Sequence, residues 1–296
     1  MNRPHHRRTI LVFGMFGAVL VWGCAGKQAQ SPADAPRLVP GVTLRDVTFR
    51  STALNRNMTY RVILPASVGQ DEKLPVIYLL HGGGGGYRDW SNYSDVAQFA
   101  ARGLILVMPE GNSSYYTNSA TVPGDRFEDY IVKDLISDVE GRLPAAAGRA
   151  NRAIVGVSMG GFGAVKIALR YPGRYAFAGG LSPALDVPTR PFSIKRIAQW
   201  RFHSAIFGPE GSETRKENDP FLLALSANPA AVPYFFLTCG DKEGLLPANQ
   251  DFARLLHKRG FSFEFHVVSG DHNWTQWSQQ VPNVFQTLMA RMKPNH

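Results

Sequence analysis

The feature that most constrains this chain is a set of short, uninterrupted apolar runs. Pro75–Leu80, Leu104–Met108, Ala153–Val157, Tyr175–Leu181 and Tyr234–Cys239 show almost no polar alternation. A strand reads this way when both of its faces are buried, as in a parallel sheet covered by helices. Helical spacing fills the gaps between the runs. Phe127, Ile131, Leu135, Val139 and Leu143 recur every four residues across 126–143. Residues 94–102, 159–170, 248–259 and 277–292 read as further helices, and Phe261–Val268 as another strand. Residues 42–49 and 57–64 alternate with period two and predict an opening hairpin. The whole predicts an α/β fold, a doubly wound and mostly parallel sheet with helices on both faces. Residues 184–231 break the rhythm with Pro188, Pro191 and the charged stretch Glu210–Asp219. They are expected to form an insertion that walls or covers a site.

With 296 residues and 44% hydrophobic content the chain can bury a large core, which excludes disorder as its main state. Two cysteines exclude a disulfide scaffold. Net charge is +9 overall and +6 beyond residue 23, from 29 bases against 23 acids without a long basic run. This balance argues for solubility or affinity for a cell envelope, and no nucleic-acid partner is expected.

Residues 1–9 are basic, Ile10–Trp22 is apolar but short for a membrane span, and Gly23-Cys24 follows. This resembles a bacterial lipobox, with a signal peptide over 1–23 and Cys24 as the lipidated first residue of the mature chain. Trp22 departs from the usual small residue. An uncleaved anchor and a plain secretory signal are the alternatives, and all three place the domain outside the cytoplasm. Residues 24–41 read as a flexible tether and 42–296 as the functional domain. Ala25, in place of an inner-membrane retention aspartate, suggests outer-membrane sorting in a host with two membranes. Cys239, in an apolar run, is expected to be a buried structural thiol.

Three loops at strand ends carry the chemistry. Gly156-Val157-Ser158-Met159-Gly160 fits G-x-S-x-G, a weak pattern alone. Here it joins a buried strand to a helix, the setting that exposes a serine Oγ at the sheet edge. His81 and the five glycines of 82–86 follow another strand and offer backbone N–H groups to a developing oxyanion. The run lacks the Lys-Ser/Thr of a P-loop and does not match G-x-G-x-x-G. Gly270-Asp271-His272-Asn273-Trp274 follows the last strand, and His272 is the best placed of the eight histidines to act as a base. An acid is required between Ser158 and His272 in the chain. Asp241 and Glu243 both follow the strand ending at Gly240. Glu243 is preferred because it stands three residues beyond the glycine, far enough to turn back across the sheet edge.

Residues 43–290 resemble the esterase family that includes S-formylglutathione hydrolases, feruloyl and acetylxylan esterases, and mycolyltransferases. The resemblance is carried by Leu79-Leu80-His81-Gly82-Gly83, Arg88-Asp89-Trp90, Tyr130-Ile131-Val132-Lys133-Asp134-Leu135, Gly156-Val157-Ser158-Met159-Gly160-Gly161 and Gly270-Asp271-His272-Asn273-Trp274. It implies an α/β-hydrolase fold and carboxylic-ester hydrolysis without metal or cofactor. Ser158 is then the nucleophile, His272 the base and Glu243 the orienting acid, with the amides of Gly83 and Met159 as oxyanion hole. The family's acid is usually Asp in Gly-x-x-Asp, one methylene shorter than Glu243. The expected substrate is a small-molecule or carbohydrate-linked ester bearing a short-chain acyl or hydroxycinnamoyl group. Transfer to a sugar hydroxyl and a non-catalytic envelope-binding lipoprotein are the alternatives. Trp90, Tyr115, Tyr116 and Trp274 are candidates to line the pocket.

Overall fold

The computed structural model describes residues 33–292, and Asp34 opens the compact unit considered below. The leader reading, Cys24 and the first part of the tether lie outside the described residues. The last part of that tether belongs to the unit. The Arg37 N–H donates to Ser91 O, Val39 packs on the core, and Asp34 pairs with the buried Arg61.

Eight strands form one sheet: β1 (Val42–Ser51), β2 (Arg56–Pro65), β3 (Val76–Leu80), β4 (Ile105–Pro109), β5 (Arg152–Val157), β6 (Phe177–Leu181), β7 (Tyr234–Gly240) and β8 (Phe263–Val268). Their order is β1-β2-β4-β3-β5-β6-β7-β8. The opening hairpin β1-β2 is antiparallel and joins β4 antiparallel, while all pairings from β4 to β8 are parallel.

The apolar runs are uninterrupted because each strand feeds two cores. Val76, Tyr78 and Leu80 of β3 face one layer, and Ile77 and Leu79 face the other. The helix Met159–Arg170 fills the first layer with Ala164, Val165, Ile167 and Ala168. The C-terminal helix Trp274–Arg291 fills the second with Val281, Val284, Phe285 and Leu288. It begins three residues earlier than its apolar spacing predicts, because the Asn273 side chain caps it by accepting the Gln276 N–H.

Two other helices differ from the sequence reading. Residues 94–102 hold only the short helix Ala97–Ala100, preceded by Asp89–Tyr93. The helical region from Phe127 to Arg142 is π-helical over Tyr130–Leu135. There Asp134 accepts Ser51 Oγ at 2.6 Å and the Ala53 N–H at 2.8 Å, which ties this region to the hairpin.

The chain runs from β3 to β4 on one side, then returns to β5 on the other side of β3. Loops leaving the C-terminal ends of β3 and β5 therefore diverge and open a crevice, the usual ligand position in such sheets. His81–Gly83 and Ser158 stand at those two ends. Residues 184–231 contain the helices Ile197–Phe207, Glu213–Glu217 and Pro220–Ser226, and line the crevice as a cap.

Candidate active site

Ser158 occupies the turn between β5 and the helix Met159–Arg170, with φ 54° and ψ −114°. A non-glycine residue in this region is strained and persists only where its surroundings enforce it. Its N–H donates to Leu181 O at 2.9 Å, and its carbonyl accepts the N–H groups of Phe162 and Ala184. Close backbone approach makes two glycines necessary. A Cβ on Gly156 would lie 2.1 Å from the Gly160 carbonyl carbon, and one on Gly160 would lie 2.3 Å from Leu80 O.

The three loops converge. His272 Nε2 is 2.8 Å from Ser158 Oγ, and His272 Nδ1 is 2.6 Å from Glu243 Oε2. The other oxygen of Glu243 accepts Ser182 Oγ at 2.6 Å and the Gly240 N–H at 2.8 Å. Burial pushes the Glu243 carboxyl up, but hydrogen bonds from His272, Ser182 and Gly240 overcome this and hold it below the usual range. Asp241 sits elsewhere and accepts the Gly270 N–H at 3.0 Å, bracing the loop that carries His272. Cys239 is buried, and desolvation followed by the nearby Glu243 charge pushes its thiol up to about 12.

The glycine loop lies against the serine turn. A Cβ on Gly82 would be 3.6 Å from Ser158 Cβ, and one on Gly83 would be 3.9 Å from Met159 Cβ. The Gly83 and Met159 amides have no acceptor among the described residues. The loop is held from below by His81. Its Nε2 accepts the Gly111 N–H at 2.9 Å, so its Nδ1 carries the proton and donates to Gly82 O at 2.8 Å. Trp90 Nε1 donates to Leu80 O and Tyr116 Oη to His81 O, which fixes the end of β3.

Of the four aromatic candidates, Tyr115 alone lines the cleft beside Ser158 and His272. Trp90 and Tyr116 are buried supports, and Trp274 packs against Trp90, Tyr93 and Trp277. The cleft encloses about 380 Å³, and the cap contributes Asp186, Arg190, Arg196 and Gln199 to its wall. Two residues escaped the sequence reading. Ser182 holds Glu243 and itself accepts Trp277 Nε1 at 3.0 Å, and the Trp277 ring meets the His272 ring edge-on at 4.9 Å. The available signal for Ser182 was its position directly after a buried strand, at the same sheet edge as Ser158. Among the described residues no cluster of three His, Cys, Asp or Glu side chains is arranged to hold a metal ion.

Comparison with known proteins places this geometry. The Esterase family model matches residues 51–288. The chain belongs to the esterase family. It is 25% identical over 262 residues to the acetyl esterase of Caldicellulosiruptor saccharolyticus, covering 83% of this chain and 98% of the relative. The endo-1,4-beta-xylanase/feruloyl esterase of Xylanibacter ruminicola is 26% identical over 261 residues, 83% of this chain and 31% of that longer protein. Among solved structures, the S-formylglutathione hydrolase of Agrobacterium tumefaciens superposes with a TM-score of 0.76 at 18% identity, covering 87% and 98% of the two chains. FphF, a fluorophosphonate-binding serine hydrolase of Staphylococcus aureus, gives 0.71 at 24% identity, covering 86% and 99%. The fold is that of the α/β-hydrolases, and the chain is a carboxylic-ester hydrolase.

Proposed function

We propose that Ser158, His272 and Glu243 form the catalytic relay of an esterase acting on short-chain acyl or hydroxycinnamoyl esters. The observation that carries this reading is the continuous Ser158–His272–Glu243 hydrogen-bond chain at the mouth of the cleft. His272 Nε2 takes the Ser158 proton as Oγ bonds to the ester carbonyl carbon. The amides of Gly83 and Met159 donate to the oxygen as it becomes an oxyanion, each such donor being worth about 2.7–4 kcal/mol in the transition state. Collapse expels the alcohol, which receives the proton from Nε2 and leaves an acyl group on Oγ. Water then attacks this acyl-enzyme, giving a proton to Nε2, and Nε2 passes that proton to Ser158 Oγ as the Oγ–acyl bond breaks and the acid departs. Glu243 keeps the Nδ1–H tautomer and supports the imidazolium throughout.

The acyl range rests on the acetyl esterase and feruloyl esterase relatives. A second reading, transfer of the acyl group to a sugar hydroxyl, is supported by the hydrogen-bonding cap residues and by a mycolyltransferase relative from Mycobacterium gordonae, 26% identical over 311 residues. A panel of acetyl, butyryl, long-chain and feruloyl esters, assayed with and without a sugar acceptor, separates the two. Ser158→Ala is expected to abolish turnover of p-nitrophenyl acetate with an unchanged circular dichroism spectrum. Near-normal turnover by the folded variant would overturn the relay.

The proposal extends to location. Gly23-Cys24 after a basic and then apolar leader supports an exported, lipid-anchored protein of the cell envelope, in the outer membrane where the host has two membranes. Cys24→Ser should prevent labelling by a fatty-acid probe, and unchanged labelling would refute the anchor.

A further inference from the structure

Six of the nine exposed large hydrophobic side chains among the described residues lie in the cap, at Phe192, Ile194, Ile197, Phe202, Leu222 and Leu225. Four of them fall within eleven consecutive residues, with Ile194 at 70% exposure and Phe192 at 50%. Scattered exposed apolar residues are ordinary, but a local concentration calls for a partner.

The charge pattern of the same segment indicates which partner. Residues 187–209 contain Arg190, Lys195, Arg196 and Arg201 and no Asp or Glu. Arg190 is paired with Asp186. Lys195, Arg196 and Arg201 form no ion pair among the described residues. On the helix Ile197–Phe207 the inward residues are His203, Ile206 and Phe207. Ile197 and Arg201 project from the other side, following Ile194 and Lys195 in the preceding turn, while the exposed Phe202 lies on the flank of the helix against Tyr115 and His203. Phe192 and Trp200 pack at right angles, 5.3 Å apart, giving the patch an aromatic shoulder.

We infer that this face of the cap docks on an anionic phospholipid surface. Exposed Phe and Ile beside a half-buried Trp, interleaved with unpaired Lys and Arg, is the composition of an interfacial segment, in which apolar groups enter the acyl boundary and cations meet the phosphates. A second copy of the chain is a poorer occupant. A twofold contact would bring the same unpaired cations against one another. Arg196 and Gln199 belong to both the cap and the cleft wall, so docking sets the cleft beside the lipid surface.

The full chain is mixed with sedimenting vesicles of phosphatidylcholine alone or of equimolar phosphatidylcholine and phosphatidylglycerol. Phe192→Asp/Ile194→Asp and Lys195→Glu/Arg201→Glu are compared with the wild type, the leader being identical in all three. Partitioning to the anionic vesicles is expected to fall about tenfold or more in each double variant. The wild type should also weaken with salt. Turnover of p-nitrophenyl acetate reports that the variants are folded, and Ser158→Ala should bind vesicles like the wild type. Quenching by brominated lipid, taken as wild type minus Trp200→Phe, reads the patch itself. The inference is overturned if both double variants partition as the wild type does or if Trp200 contributes no quenching. It is also overturned if the wild type is instead a dimer that Phe192→Asp/Ile194→Asp dissociates without changing lipid binding.

Discussion

Replacing Glu243 by Gln changes one oxygen to an NH₂ group and leaves the shape of the side chain intact. The buried carboxylate has three donors around it: Ser182 and the Gly240 amide on one oxygen, His272 Nδ1 on the other. Gln offers a single acceptor oxygen, so it must choose. With that oxygen toward Ser182 and Gly240 two hydrogen bonds survive, and the NH₂ then donates to His272 Nδ1. The opposite orientation sets the NH₂ against the Gly240 N–H, leaving a buried donor unpaired at a cost of about 1–3 kcal/mol. The first orientation wins and drives His272 into the Nε2–H tautomer, which cannot accept the Ser158 proton. Loss of the correct tautomer in a serine triad costs roughly 10⁴-fold in kcat, about 5.5 kcal/mol of barrier. Asp241→Asn keeps a carbonyl oxygen for the Gly270 N–H. It is expected to hold kcat within about threefold, since only a neutral hydrogen bond replaces a charged one. Steady-state kinetics with p-nitrophenyl acetate and thermal melts on both variants provide the measurement. A Glu243→Gln enzyme within tenfold of wild type, or an Asp241→Asn enzyme with the larger kcat loss, would refute the reasoning.

Three further outcomes are expected. The folded Glu243 carboxyl ionises below the value of about 4.3 for free glutamate, so its stabilisation is complete above that pH and fades as pH falls through the lower folded value. The wild-type advantage over Glu243→Gln in urea melts should shrink on acidification in that window, and a constant difference would contradict it. Lys166 is fully buried inside the helix Met159–Arg170, bound to Glu128, Tyr116 O, Thr117 and Asn218. Burial, only partly offset by Glu128, lowers its amine to about 8. Lys166→Met breaks the buried pair, which typically costs about 3–5 kcal/mol. Arg170 still holds Glu128 and should bring the loss to the lower end, while a loss under about 1 kcal/mol in urea melts would show the pair to be unimportant. Finally, with its thiol pushed up to about 12, Cys239 should resist iodoacetamide at pH 8 in the folded protein and react on unfolding, as read by peptide mass mapping. Rapid labelling of the folded protein would contradict its burial.

Much of this molecule is legible in the linear sequence because burial leaves a local trace. The runs at Val76–Leu80, Ile105–Pro109 and Ala153–Val157 are apolar on both faces because both faces are covered, and no neighbour need be known to see it. The serine turn is equally local, since Gly156 and Gly160 mark contacts within one strand–turn–helix unit and with the adjoining end of β3. The placement of Glu243 three residues beyond the strand is local as well. It selected the carboxylate that meets His272.

The remainder depends on partners far apart in the chain. The order β4-β3-β5, which opens the crevice, follows from how whole β-α units pack and leaves no mark on any one strand. Ser182 supports Glu243 across 61 positions and is in turn held by Trp277 across 95. A serine and a tryptophan advertise nothing about such a pairing until the sheet aligns the ends of β6 and β7 beside the last helix. Trp90 and Tyr116 show the converse. Their residue types suit a pocket, yet the fold uses them to brace the end of β3, and Tyr115 faces the cleft instead. Residue type and spacing thus singled out Ser158, His272 and Glu243, which meet at the cleft, and showed which segments are strands. The relative position of those segments decided which groups touch, because a contact between distant residues exists only once both elements have packed against the same core.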